Sequence, residues 1–434
     1  MEKKERGAAL IPLAVFVIVY LAVGIILDRM GTDMPFYQLS PVIPAFLGVI
    51  VAMIMFKGTL NEKMETFLKG CGHQDIMTMC FIYLFAGAFT AVSSAMGGVD
   101  AVVHLGLTFI PAQFIAAGVF VIAAFISIST GTSVGTVVQV VPIAVGLASA
   151  GGLNIPLVVG ATVGGAMFGD NLSMISDTTI AATRSQGVEM KDKFRTNFKI
   201  AFPAAIVTIV LLLIFGRPDT APAIEHYKLE IVKVLPYIFV LAAALIGINV
   251  FLVLTGGIVF STIIGLCYGS FNLLEASQNI YNGFSGMFEI FLLSMIMGGL
   301  AAMIQKEGGI NWLISKIRGV IKGRKSAELG IAAMASLTDI ATANNTVSII
   351  INGEIAKDIS EEYGVDPKRT ASLLDIFTCI FQGLILYGAQ ILMATNLAEQ
   401  KCSSISVATH SWYLYILAIC AIGSVFVAKD KKEA

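Results

Sequence analysis

Six acidic residues stand inside or at the edges of long apolar runs: Asp170, Asp177, Glu289, Asp339, Glu354 and Asp375. A bare carboxylate in hydrocarbon costs several kcal/mol, so each must be protonated, hydrogen-bonded, wetted by cavity water or bound to a cation. All four conditions suit a site that exchanges protons and cations. A carboxyl group withdrawn from water holds its proton more tightly, which lets H+ and Na+ compete for the same oxygens near neutral pH. Na+ prefers several oxygen ligands, and the acids stand among hydroxyls and amides. The densest constellation is Gly169-Asp170-Asn171-Leu172-Ser173-Met174-Ile175-Ser176-Asp177-Thr178-Thr179. Its glycine and helix-indifferent polar residues predict an unwound span whose freed carbonyls and half-helix ends face an ion. Asp170, Asn171, Ser173, Ser176, Asp177 and Thr178 are therefore candidate ligands. The competing reading is a polar helix end at the membrane interface, ahead of the basic loop that begins at Arg184.

Two further polar stretches interrupt apolar sequence, Ser129-Thr130-Gly131-Thr132-Ser133 and Thr342-Ala343-Asn344-Asn345-Thr346. They nominate Thr132, Ser133, Thr342, Asn344 and Asn345 as ligands, although Ser, Thr and Asn also cap helices at any break. Asp339, just before the second stretch, joins Asp170 and Asp177 as a carboxylate for transported Na+. Asp375 lies about one turn inside a later apolar run and completes the candidate set, whereas Glu289 is equally well read as interfacial. His73, His104, His226 and His410 fall in predicted loops or edges. Gly131-Thr132-Ser133-Val134-Gly135 matches G-x-S-x-G literally, but it joins two helical runs rather than a strand and a helix. Zinc-protease and phosphate-loop motifs are missing as well. The expectation is a protein that is not an enzyme and has no cofactor beyond its cargo.

The elements that must position these residues are membrane spans. Of 434 residues, 56% are hydrophobic and only 13% charged, with a mean hydropathy of +0.84; a soluble chain needs about a quarter charged. A net charge of -1 gives no footprint for nucleic acid, and the six cysteines include no CxxC pair. The run Ala8 to Leu27 reads as an uncleaved first span, and others recur as far as 412–428. Runs 109–128 with 134–150, and 327–340 with 345–359, flank the two polar stretches. Each pair reads as a re-entrant hairpin, because polar backbone at membrane depth must be buried in protein or line a cavity. With that topology, all but five of the 28 lysines and arginines face the cytoplasm. Outside lie Arg29, Arg217, Lys228, Lys233 and Lys401, and none is placed in a span. The asymmetry fits the positive-inside rule and predicts a multi-pass protein of the cell (inner) membrane with both termini cytoplasmic. A lysine-free, arginine-free interior favours a cation as cargo.

The two halves also resemble each other at an offset of about 211 residues. Gly97-Gly98-Val99-Asp100 faces Gly308-Gly309-Ile310-Asn311, and Gly152-Leu153-Asn154-Ile155-Pro156 faces Gly364-Val365-Asp366-Pro367. Each half is expected to hold about five transmembrane helices plus a hairpin and a broken helix, an odd count that inverts the second copy. The predicted fold is all-α and polytopic, with one repeat in 1–216 and its inverted partner in 217–434.

Gly131-Thr132-Ser133-Val134-Gly135-Thr136, followed by the Gly169 to Thr179 constellation, resembles the NhaC family of sodium/proton antiporters, whose members carry G-T-S-x-G-T and then G-D-x-x-S-x-x-S-D-T. Thr338-Asp339-Ile340-Ala341-Thr342-Ala343-Asn344-Asn345-Thr346 also looks like that family, so the resemblance extends over most of the chain. It implies the fold of the ion transporter superfamily, with two inverted repeats, hairpins and broken helices, and a homodimer. Carried over by motif, it makes Asp170, Ser173, Ser176, Asp177 and Thr178 cation-site residues. The expected function is Na+/H+ antiport by alternating access, in a lipid bilayer and without nucleic acid. The alternative is Na+- or H+-coupled transport of small organic acids or amino acids, since relatives of the family exchange malate for lactate or carry amino acids. A passive channel is disfavoured by the paired breaks.

Overall fold

Apolar residues on nearly every face make the long helices, because a chain in lipid must satisfy each backbone amide within its own helix. The computed structural model describes residues 5–30, 32, 38–109, 111–174, 176–218, 230–246, 248–399 and 401–427. Lys3, Lys4, Ile175, His226, Lys228, Lys429, Lys431 and Lys432, with both chain ends, lie outside the described residues. Among the described residues the protein is all helical, with no strand. Among the described residues, seven helical stretches are long and apolar enough to cross a membrane: Gly7–Leu27, Ile76–Ala95, Ser133–Ala150, Ile155–Gln186, Met190–Phe215, Val250–Cys267 and Leu273–Lys306. An eighth follows if Ser404–His410 and Trp412–Val427, bent by 48°, form one span.

The helix Met190–Phe215 shows how a span divides its faces. Phe198, Phe202, Ile206 and Ile214 are exposed on one side, as a lipid-facing surface requires. Lys193, Asn197, Ala201, Ala204 and Thr208 are buried on the other. Small residues there let neighbouring backbones approach closely.

Both expected hairpins form two packed helices with a sharp tip. Ile115–Thr130 ends at Gly131, whose left-handed backbone (φ 70°) closes the helix. Thr132 then turns extended, and its side chain accepts from the Gly135 amide at 3.2 Å to cap Ser133–Ala150. The second hairpin repeats this grammar. Arg324–Thr342 ends at Ala343 (φ 50°), and Asn344 caps Asn345–Tyr363 by accepting from the Val347 amide at 3.0 Å.

Two spans are broken. Ile155–Leu172 gives way at Ser173–Ser176 to Asp177–Gln186, and Pro367–Gln382 gives way to Ala389–Leu397. Each begins with a proline near its first turn behind a capping side chain, Asn154 or Asp366, where a missing amide costs nothing. Leu60–Cys71 and Leu273–Gly286 both start with a capping box, from Thr59 with Glu62 and Asn272 with Glu275. The chain from Leu60 to Ala95 packs against Leu273–Lys306, and Cys80 Sγ meets the Phe291 carbonyl at 3.6 Å.

Charged segments far apart in sequence are tied together. Arg6 pairs with Glu307 at 3.1 Å, Lys306 donates to Thr66 at 2.7 Å, and Lys368 pairs with Asp192 at 3.0 Å. Buried Glu328 accepts from Arg369 at 2.9 Å. These links join segments that the charge count assigns to one side.

Candidate functional site

The two hairpin tips and the first broken span meet around one cavity of about 520 Å³. The first tip supplies Thr132 and Ser133, the second Asn344 and Asn345, and the break Asp170, Asp177 and Thr178. Those seven candidates, drawn from three separate stretches of sequence, share one space. Asp170 is buried in the last turn of Ile155–Leu172, and Ser133 Oγ donates to its Oδ2 at 2.7 Å. Asp177 is the exposed first residue of Asp177–Gln186, where a helix N-terminus favours its negative charge.

The other candidates are brought near but do not line the cavity. Ser173 Oγ donates to the Ile128 carbonyl at 2.9 Å. Ser176 caps the second half-helix by accepting from the Thr179 amide at 3.2 Å. Thr342 turns back to the Thr338 carbonyl at 2.9 Å. These three hold the breaks in shape. Asp339 is fully buried, with neither carboxylate oxygen hydrogen-bonded among the described residues. It stands nearly one turn before the tip at Thr342 and does not line the cavity.

Asn171 and Asp375 form a layer behind the cavity, and it contains a lysine. Lys193 and Asp375, both 0% exposed, pair at 2.6 Å. The same ammonium donates to the Asn171 carbonyl at 2.6 Å and to Thr179 Oγ1 at 2.7 Å. Asn171 and Asn197 each donate to Asp375 Oδ2, at 3.0 and 2.8 Å. The expectation of an interior without lysine or arginine is corrected here. Lys193 lies between Lys191 and Arg195 and reads as part of a basic loop, yet the helix start leans onto the break and carries it inside. Its position, four residues before Asn197 on one helical face, is the local signal that could have marked it.

Sequence reasoning also missed Gln382 and Gln390, which flank the second break. Gln382 Nε2 donates to Gln390 Oε1 at 2.9 Å, and Gln390 Nε2 donates to Ser133 Oγ at 3.0 Å. With the Ser133 bond to Asp170, this makes one chain of side-chain hydrogen bonds from the second broken span through the first tip to the first broken span. Glu354 is exposed on its helix and is not part of the cavity.

Among the described residues the cavity lining holds two carboxylates, hydroxyls and amides and no lysine or arginine. No group of three or more His, Cys, Asp or Glu side chains placed to hold a metal ion occurs among the described residues. A small cation in this cavity would meet mixed hydroxyl, amide and carboxylate oxygens. Ala343 tests the tip geometry, since a left-handed backbone strains any residue with a Cβ. Ala343→Gly is expected to raise stability by roughly 0.5–1 kcal/mol, read as a higher melting temperature in detergent. An unchanged or lower melt speaks against the strained tip.

Apolar helices interrupted around a polar, carboxylate-bearing cavity define a multi-pass membrane transporter. The chain belongs to the Na+/H+ antiporter family, whose model matches residues 7–217 and 223–429. It is 25% identical over 433 residues to the Na+/H+ antiporter NhaC of Bacillus subtilis, covering 90% of this chain and 93% of that protein. The malate-2H+/Na+-lactate antiporter of Bacillus subtilis is 22% identical over 409 residues, covering 85% of each. The arginine/ornithine antiporter ArcD of Halobacterium salinarum is 25% identical over 414 residues, covering 86% and 82%.

Proposed function

We propose that this protein is a secondary transporter of the cell (inner) membrane that exchanges Na+ for H+ by alternating access. The observation that carries the reading is the cavity itself, where both hairpin tips and the broken span converge on Asp170 and Asp177. Thr132, Ser133, Thr178, Asn344 and Asn345 add the neutral oxygens that Na+ requires. Na+ and H+ are the cargo, no resident cofactor takes part, and no enzymatic step is proposed.

The hairpins are re-entrant and the halves 1–216 and 217–434 are inverted repeats in this reading. Two glycine contacts support it. A Cβ on Gly70 would overlap the Gly298 carbonyl, and one on Gly87 the Gly283 carbonyl. Exchanging the halves at a separation of 211 residues, that of Cys80 from Phe291, carries the first contact nearly onto the second. Cys80 and Phe291 then lie on the pseudo-twofold axis. Both termini are cytoplasmic, and the transporter works as a homodimer.

A second reading, coupled exchange of organic or amino acids, is favoured by the names of two relatives. Lys193 does not by itself support an anionic cargo, because Asp375 neutralises it behind the cavity wall. Reconstitution decides between the two. Proteoliposomes carrying a pH dye are given a Na+ gradient, with and without a panel of organic acids and amino acids. Proton flux driven by Na+ alone is expected. Flux or uptake that appears only with one organic substrate transfers the site to the second reading.

A further inference from the structure

A second cavity, of about 360 Å³, is lined by Tyr20, Leu39, Glu289, Leu293, Asn396 and Ser404, among others. It repeats the wall of the first. Thr78, Met79, Ile82 and Val250 line the site cavity. Glu289, Ile290 and Leu293 follow the first three by the 211 positions that separate Cys80 from Phe291, and Leu39 precedes Val250 by the same interval. Four wall positions of one cavity thus recur in the other, on opposite sides of the Cys80 and Phe291 crossing.

One half-helix contributes to the walls of both spaces. In Ala389–Leu397, Gln390 lines the site cavity, whereas Leu392, Thr395 and Asn396 line the second. Gln390 and Leu392 differ by a rise of only about 3 Å along the axis. The repeated wall departs from its counterpart in charge, because Glu289 stands where the site cavity has Thr78. Its carboxylate is exposed, lines this space, and accepts from Ser40 Oγ at 2.7 Å.

We propose that this second cavity is the opposite-face entry to the ion site, and that Glu289 draws small monovalent cations into it. The inference rests on the transport reading above. A carboxylate at a narrow mouth raises the local cation concentration, and only this face has one at the matched position. The structure accordingly has the site joined to one entry, with Leu392 and its neighbours closing the other. Shifting the half-helix relative to Leu293 exchanges the two.

Two measurements test it separately. Thr78→Cys and Asn396→Cys are made in a background where exposed Cys267 is serine, and a membrane-impermeant maleimide is applied to either face of sealed vesicles. Labelling of the two from opposite faces is expected; labelling from the same face overturns the proposal, whether or not Na+ moves protons. In proteoliposomes, Glu289→Gln is expected to raise the Na+ concentration for half-maximal flux roughly tenfold on the Asn396 face and leave the Thr78 face unchanged. An equal change on both faces, or none on either, removes the role of Glu289. If the wild type moves no protons with Na+, the antiport reading fails, and the labelling result still judges the entry.

Discussion

Lys193→Met is expected to destabilise the fold by about 3–5 kcal/mol, because it leaves the Asp375 carboxylate buried without its cation. Methionine keeps the length and most of the volume of the side chain, so the loss is one of charge and hydrogen bonds. Three bonds go at once: those to Asp375, to the Asn171 carbonyl and to Thr179. The amides of Asn171 and Asn197 remain on Asp375 Oδ2, and they do not neutralise it. Asp375→Asn alone is expected to cost a similar amount, leaving an unpaired ammonium. Lys193→Met combined with Asp375→Asn should recover most of the loss, since removing both charges of a buried pair is close to neutral. Melting of the four proteins in detergent gives the coupling as a double-mutant cycle. Single variants that melt with the wild type would falsify a pair that holds the break.

The positions of the hairpin tips were legible because their chemistry is local. Gly131 followed by Thr132 supplies a helix stop and a fresh cap within two residues; at the second tip the cap Asn344 carries the signal, and Ala343 before it gives none of its own. The first break was legible for the same reason, from Ser173 and Ser176. The second was less so. Within 371–397 the chain stays apolar across Gly383–Gly388, and Gln382 and Gln390 carry no charge to mark them.

What local chemistry could not decide is which way a side chain faces. Asp339 lies nearly one turn, about 4.5 Å, back from Thr342 at a tip, and neither side chain lines the cavity. Proximity in sequence to the cavity therefore did not bring Asp339 into it. Lys193 failed in the opposite direction. A lysine between Lys191 and Arg195 belongs to a solvated loop unless a distant acid reaches it, and Asp375 is 182 positions away by the sequence numbering. Long-range pairing of this kind leaves only a faint local trace, here the four-residue spacing of Lys193 and Asn197. The consequence for function is specific. An argument for a cation cargo from an interior without basic residues no longer holds, and its place is taken by a cavity wall that lacks them.

The largest effect on transport is expected at Asp170. Asp170→Asn keeps the shape of the side chain, and its amide oxygen can still accept from Ser133, so the hydrogen-bond chain from Gln382 through Gln390 and Ser133 survives. What disappears is the negative charge at the junction of tip and broken helix. A charged hydrogen-bond acceptor is worth about 1.5–3 kcal/mol, which translates into a roughly 10- to 100-fold loss of Na+ affinity. An asparagine also cannot exchange a proton, so Na+-driven proton flux should fall to background even at saturating Na+. Asp170→Glu retains the charge and should keep partial flux. Melting separates this from unfolding, with Asp170→Asn expected within about 1 kcal/mol of the wild type. Flux through a folded Asp170→Asn protein equal to that of the wild type would move the exchanged ion away from this carboxylate, leaving Asp177 as the acid of the cavity.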